Sequence, residues 1–162
     1  MMLAVATLIL LAGMADDLFS RKVHNQLFVG AFVFALISSL YFREWSGTQL
    51  GLLAFLLAAL ITIPMFAVRM IGGGDVKIVL AFAIAVEPMA VFWTLAYSVV
   101  WGALFGFTRS AIQGQLPMLV RNTIHLATRK KVQQHQLHPI PYTFALVLGW
   151  FTHLTMIRVG GL

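Results

Sequence analysis

Apolar residues along this chain fall in long runs rather than in the spaced stripes of a soluble helix or the alternation of a half-buried strand. Six runs can be marked, at residues 1–15, 25–42, 48–68, 75–88, 89–107 and 139–157. Short polar stretches rich in Arg and Lys separate them. This pattern predicts an all-α polytopic membrane protein, a bundle of six transmembrane helices in a single domain over residues 1–162. Composition agrees. Of the chain, 60% is hydrophobic and only 10% charged, where a soluble domain carries about a quarter charged residues.

The fourth run is short. Between Val76 and Val86 it offers only 11 apolar or lysine residues, against the roughly 20 that cross hydrocarbon fully. It could be an independent span or the start of one tilted helix shared with the fifth run, and charge decides between these. With six spans, Arg21, Lys22, Arg69, Lys77, Arg109, Arg121, Arg129, Lys130 and Lys131 share one side, and only Arg43 and Arg158 lie on the other. Merging the two runs would leave four cations against seven. Basic loops face the cytoplasm, so six spans are expected, with both termini outside. A fourth helix of about 13 residues covers only ~20 Å. Its glycine-rich start should therefore lie at membrane depth, where irregular backbone survives only inside protein or beside water.

Charge and composition narrow the possible chemistry. The net charge of +6 might suggest a nucleic-acid partner, but the cations sit in short loops between apolar runs and serve orientation first. The expected partner surface is the lipid bilayer, with no nucleic acid. The chain has no cysteine, which excludes disulfides, thiolate metal sites and a cysteine nucleophile. The opening "MMLAVATLILLAGMADD" resembles a secretory signal but lacks a positively charged beginning, so it is expected to remain as a span. The basic loop at about 109–138 is the one sizeable extramembrane piece. Leu116, Leu119, Val120, Ile124 and Ala127 recur there at helical spacing, predicting an amphipathic helix on the anionic leaflet. His125, His135 and His138 supply no clear third ligand and are expected to be solvated, so no metal site and no cofactor are expected. Trp45, Trp93, Trp101 and Trp150 are expected near membrane interfaces, and His153 to be packed or interfacial.

Five acidic residues remain: Asp16, Asp17, Glu44, Asp75 and Glu87. The topology puts the three aspartates on the cytoplasmic side and both glutamates on the other. Asp75 follows three glycines in "GGGD", and Asp17 opens "DLFSRKVHN". Taken alone, Asp75 is well explained as a helix cap, and Asp16 as a charge at a solvated helix end. Lys77 is expected to snorkel. Two carboxylates brought together, however, can hydrolyse a peptide by sharing one proton, because two adjacent negative charges do not easily coexist. Gly72, Gly73 and Gly74 would allow unusual backbone angles and a close approach by an extended peptide.

These residues resemble a known family. "GGGD" satisfies the Gly-x-Gly-Asp signature of intramembrane aspartyl proteases at Gly72, Gly74 and Asp75. The first loop is similar to the type IV prepilin peptidase pattern Asp-x-x-x-Arg-x-(Ile/Val)-x-Asn at Asp17, Arg21, Val23 and Asn25. "IPYTFALVLG" looks like that family's Pro-Tyr/Phe segment at Pro141, Tyr142 and Gly149. The resemblance implies Asp17 and Asp75 as the catalytic pair, and removal of a short basic leader from prepilin or pseudopilin precursors at the cytoplasmic membrane of a bacterium or archaeon. Without the paired CxxC motifs of the methylating enzymes, the chain is similar to short peptidase-only forms, such as the Tad/Cpa peptidases of Flp pili and the preflagellin peptidases. His24 stands where relatives often carry proline, and Thr143 where glycine is frequent. Two other readings compete. One is a presenilin-like or signal-peptide-peptidase-like protease, whose Tyr-Asp motif "ADDLFSR" lacks. The other is a small transporter or assembly subunit using the aspartates for protons or cations.

Overall fold

The computed structural model describes residues 1–20, 23–112 and 142–160. Among them every regular element is a helix: α1 (Met2–Ser20), α2 (Asn25–Ala67), α3 (Gly73–Ile84), α4 (Pro88–Ile112) and α5 (Tyr142–Gly160). Four of these, α1, α2, α4 and α5, are long and apolar enough to cross a membrane. The amphipathic segment foreseen over residues 116–127 lies outside the described residues.

The second and third apolar runs form one element, α2, of 43 residues. As a straight rod it would extend roughly 65 Å. Instead it folds back on itself: the Phe32 and Phe55 rings lie 5.7 Å apart, and the Thr48 hydroxyl donates to Ser39 Oγ at 3.3 Å. The reversal is at Glu44, whose φ of 60° and ψ of −170° leave the helical region. Such a conformation suits glycine and costs a glutamate about 1–3 kcal/mol. The two runs are therefore two antiparallel helical arms joined at Glu44. The second arm ends in the 6→1 and 5→2 bonding of a Schellman motif. Met70 N–H donates to Met65 C=O and Arg69 N–H to Phe66 C=O, both at 2.9 Å. Arg69 takes the left-handed position at φ 61°, where glycine is usual.

The fourth run is α3, 12 residues or about 18 Å long. It stops at Ala85, and α4 starts at Pro88, where a missing N–H costs nothing in a first helical turn. The fourth and fifth runs are thus separate helices, as the charge balance required. From Ile78 to Ile84 the buried side of α3 meets α1 and the second arm of α2. Gly13 permits the first contact: a Cβ there would come within 2.5 Å of Ile78 Cδ1. Gly51 permits the second, since its Cβ would collide with the Ile84 carbonyl oxygen.

Side-chain volume is sorted as a lipid solvent demands. Ala6, Ala35, Ala54, Ala58, Ala81 and Ala83 are buried, while Leu8, Ile37, Leu53, Leu60 and Val100 are exposed. Hydrocarbon offers no reward for burying leucine, so helices gain most by close approach at small residues. Trp150 is packed inside the bundle. It is fully buried, edge-on to Phe82 at 5.0 Å, and its Nε1–H donates to Thr7 Oγ1 at 2.9 Å. The indole can be buried because a hydroxyl on α1 satisfies its N–H. His153 is packed beside it, with ring centroids 5.8 Å apart.

Gly149 seats α5 on α4, and a Cβ there would meet Thr94 O at 2.6 Å and Ser98 N at 2.7 Å. Backbone atoms cannot swing aside as a flexible side chain can. Gly149→Ala should therefore destabilise the protein by about 1–3 kcal/mol, read as a lowered melting temperature in detergent. Gly30, in α2, has nothing within 4 Å of a Cβ. Gly30→Ala should be neutral or stabilising by up to about 1 kcal/mol.

Candidate active site

Three helix ends meet at one end of the bundle: the last turn of α1, the first turn of α3 and the first turn of α5. They carry Asp16 and Asp17, Asp75, and Tyr142 and Thr143. The glutamates are at the opposite end, where Arg43 beside Glu44 approaches Glu87, Nη2 to Oε1 3.9 Å. The separation of aspartates from glutamates expected from the chain order is present along the bundle axis.

Asp75 is 8% exposed. Its Oδ2 accepts from Gly72 N–H at 2.9 Å, as a third-position residue closing back on the helix cap. The capping role is real, and it occupies only part of the carboxylate. Gly13, one turn before Asp17, receives the Ile78 side chain, one turn after Asp75, and so sets the two helix ends side by side. Asp17 is half-buried and accepts a hydrogen bond from Thr143 Oγ1 at 2.7 Å. The fold thus brings together the two aspartates singled out from the sequence, 58 positions apart.

The glycines work differently from expectation. Gly72 has an extended backbone (φ −79°, ψ 155°), Gly73 and Gly74 are helical, and none has a positive φ. Unusual backbone angles are therefore not their purpose. Close approach is: a Cβ on Gly74 would come within 2.9 Å of Val23 Cγ2 and 3.3 Å of Val23 N. The missing side chain lets the segment after α1 press against the start of α3, so the two aspartate motifs can touch.

Neighbouring polar groups fasten that segment. Asp16 accepts from His24 N–H at 2.8 Å and meets His24 Nδ1 at 2.9 Å. It therefore ties the end of α1 to the cap of α2, a role beyond that of a solvated charge. A proline at position 24 would offer neither bond. Lys77 does not reach out to the surface alone; its Nζ donates to Asn25 Oδ1 at 2.6 Å. Tyr142 is held from α4: Ser98 Oγ donates to Leu95 C=O at 2.7 Å, leaving the tyrosine hydroxyl to donate to Ser98 at 2.5 Å. Arg21, Pro141, His125, His135 and His138 lie outside the described residues. Among the described residues no three His, Asp or Glu side chains gather as a metal site would need.

Comparison with known proteins settles the broad assignment. A family model described as the type IV leader peptidase family matches residues 4–107, which include both aspartate motifs. The chain belongs to the type IV leader peptidase family. No curated protein and no solved structure matches it. The leader peptidase match ends within α4, before Tyr142 and Thr143. Sequence reasoning noted Thr143 only as a departure from the usual glycine. Its contacts become visible once α5 is seen to start beside Asp17 and Asp75.

The Asp16–His24 clasp has a measurable consequence. Asp16 accepts the His24 N–H, so Asp16→Ala should raise amide hydrogen exchange at His24. Exchange at Ile78 to Ile84, inside the core, should not change.

Proposed function

We propose that this leader peptidase is an intramembrane aspartyl endopeptidase that removes the short basic leader of prepilin-like or pseudopilin precursors. The meeting of Asp17 and Asp75 at one end of a bundle of apolar helices is the observation that carries the reading. Both lie beside donors that would hold their carboxylates in place. In the reaction, one carboxylate takes a proton from water as the water oxygen bonds to the scissile carbonyl carbon. The other, protonated, gives its proton to the carbonyl oxygen. Collapse of the tetrahedral intermediate breaks the C–N bond, and the amide nitrogen leaves as an amine after receiving a proton from the pair. The chemistry calls for no metal or cofactor.

In this reading α2 crosses the membrane twice through its two arms, and α3 crosses as a short span, giving six crossings. The nine-to-two distribution of cations then puts the aspartate end at the cytoplasmic face, where a leader still attached to its precursor would arrive. The apolar exterior would accept a substrate helix from the bilayer. Gly72, exposed at the edge of the site, leaves room for an unwound peptide to approach backbone.

Asp17→Asn and Asp75→Asn should each reduce leader removal at least ~100-fold, with unchanged protein in the membrane. The assay is co-expression with a prepilin, followed by the size of the pilin. Continued cleavage by either variant would remove that aspartate from the catalytic pair.

A further inference from the structure

At the end of the bundle opposite the aspartates, a cavity of about 410 Å³ lies between the turn of α2, the start of α4 and the end of α5. Its floor is buried, with Val86, Trp150 and His153, and its rim is open, with the exposed apolar side chains of Leu3, Met89 and Ile157. Two residues that line it, Arg43 and His153, each carry a buried nitrogen, Nη1 and Nδ1, with no hydrogen-bond partner among the described residues. We propose that this cavity binds a membrane phospholipid by its phosphate, with the acyl chains leaving over the apolar rim. None of these residues belongs to the aspartate site, so the inference stands apart from the peptidase reading.

The sequence around the turn of α2 places Arg43 in the cavity. Glu44, in its strained conformation, reverses the chain directly after Arg43, and Gly47 leaves room for the arginine, since a Cβ there would collide with Arg43 Cβ. The Arg43 side chain is only 20% exposed, whereas that of Glu87 is 64% exposed. Arg43 Nη2 stands 3.9 Å from Glu87 Oε1, beyond hydrogen-bond distance. Glu87 therefore offsets the charge from the rim without satisfying the donors inside. A guanidinium has five N–H donors and no acceptor, and leaving a buried one unpaired is costly. A phosphate supplies both the opposite charge and oxygens matched to the planar fork.

Two further features suit the same ligand. His153 is 5% exposed, and a neutral imidazole with its proton on Nδ1 is a second donor to the phosphate. Met89 and Ala90, in the first turn of α4, also line the cavity. The N–H groups of a first turn have no partner within their own helix, and this is the end of a helix that favours an anion. The size lies within the roughly 300–1,000 Å³ of small-molecule sites. The rim selects a lipid over a free anion. Leu3, Met89 and Ile157 offer an inorganic phosphate nothing, but they continue the apolar outside of the bundle, along which an acyl chain can lie.

The experiment titrates the purified full chain in detergent with phosphatidylglycerol, and with diacylglycerol of the same chains as the phosphate-free counterpart. Native mass spectrometry reads the lipid retained. Wild type should hold phosphatidylglycerol at least ~10-fold more tightly than diacylglycerol. Arg43→Gln should lose that advantage, and His153→Leu should reduce it. Glu87→Gln removes the ion pair but keeps the guanidinium, so it should bind at least as tightly as wild type. Inorganic phosphate at millimolar concentration should not displace the lipid. A second readout needs no variant: phosphatidylglycerol should raise the melting temperature of wild type, and diacylglycerol should not. Equal retention of the two lipids by wild type, or unchanged binding in Arg43→Gln, would reduce the site to apolar contact and overturn the proposal. An equal loss in Glu87→Gln would make Arg43 a structural partner of Glu87 and also overturn it. Displacement by inorganic phosphate would overturn the lipid assignment in favour of a free anion.

Discussion

The structure depends on a helix too short for its surroundings. α3 has 12 residues and is packed against neighbours of 19 residues and more. Its buried side is inaccessible from Ile78 to Ile84, because Gly13 leaves room on α1 for the Ile78 side chain and Gly51 lets the second arm of α2 reach the Ile84 backbone. A helix held that tightly has its ends placed by its length. Its first turn, with Asp75, lies beside the last turn of α1 and the first turn of α5. A longer α3 in the same packing would carry Asp75 beyond Asp17 and Thr143.

Around that helix small residues lie at many of the helix contacts and many large apolar residues lie outside, with Leu10, Phe82, Leu146 and Trp150 filling the interior, an arrangement that permits association when lipid and leucine are equally apolar. Thr62 turns back on the Ala58 carbonyl of its own helix, whereas some polar groups in the interior are bonded across helices, as Trp150 is to Thr7 and Tyr142 to Ser98. These bonds orient the helices more than they stabilise them, since an interhelical hydrogen bond in a membrane protein is worth on average about 0.6 kcal/mol. Orientation is what a two-acid site needs. Carboxylates on separate helices can share a proton only if rotation and register are both held.

Much of this was legible in the chain. Unbroken apolar runs announced the helices, and the uneven cations separated the fourth run from the fifth, a division the structure makes at Ala85 to Pro88. Asp17 and Asp75 stood out because acidic residues are so rare here. The second and third apolar runs are two antiparallel helical arms, as their separation in the chain suggested, and the turn between them is made at the single non-helical residue Glu44. The departures have physical reasons. The glycines beside Asp75 suggested unusual backbone angles, but Gly74 serves Val23, a contact across the fold that local spacing does not encode. The burial of Trp150 was not legible either, because the partner of its N–H, Thr7, is 143 positions away. Thr143 stood out only as a departure from the usual glycine, since its partner is 126 positions distant.

The central claim is that the short helix holds Asp75 against Asp17. The absence of cysteine makes this directly measurable in native membranes. A protein carrying Asp17→Cys and Asp75→Cys should be joined within one chain by a short bifunctional thiol reagent, while one carrying Asp17→Cys and Glu87→Cys should not. Failure of the first pair to join, or joining of both pairs equally, would contradict the account.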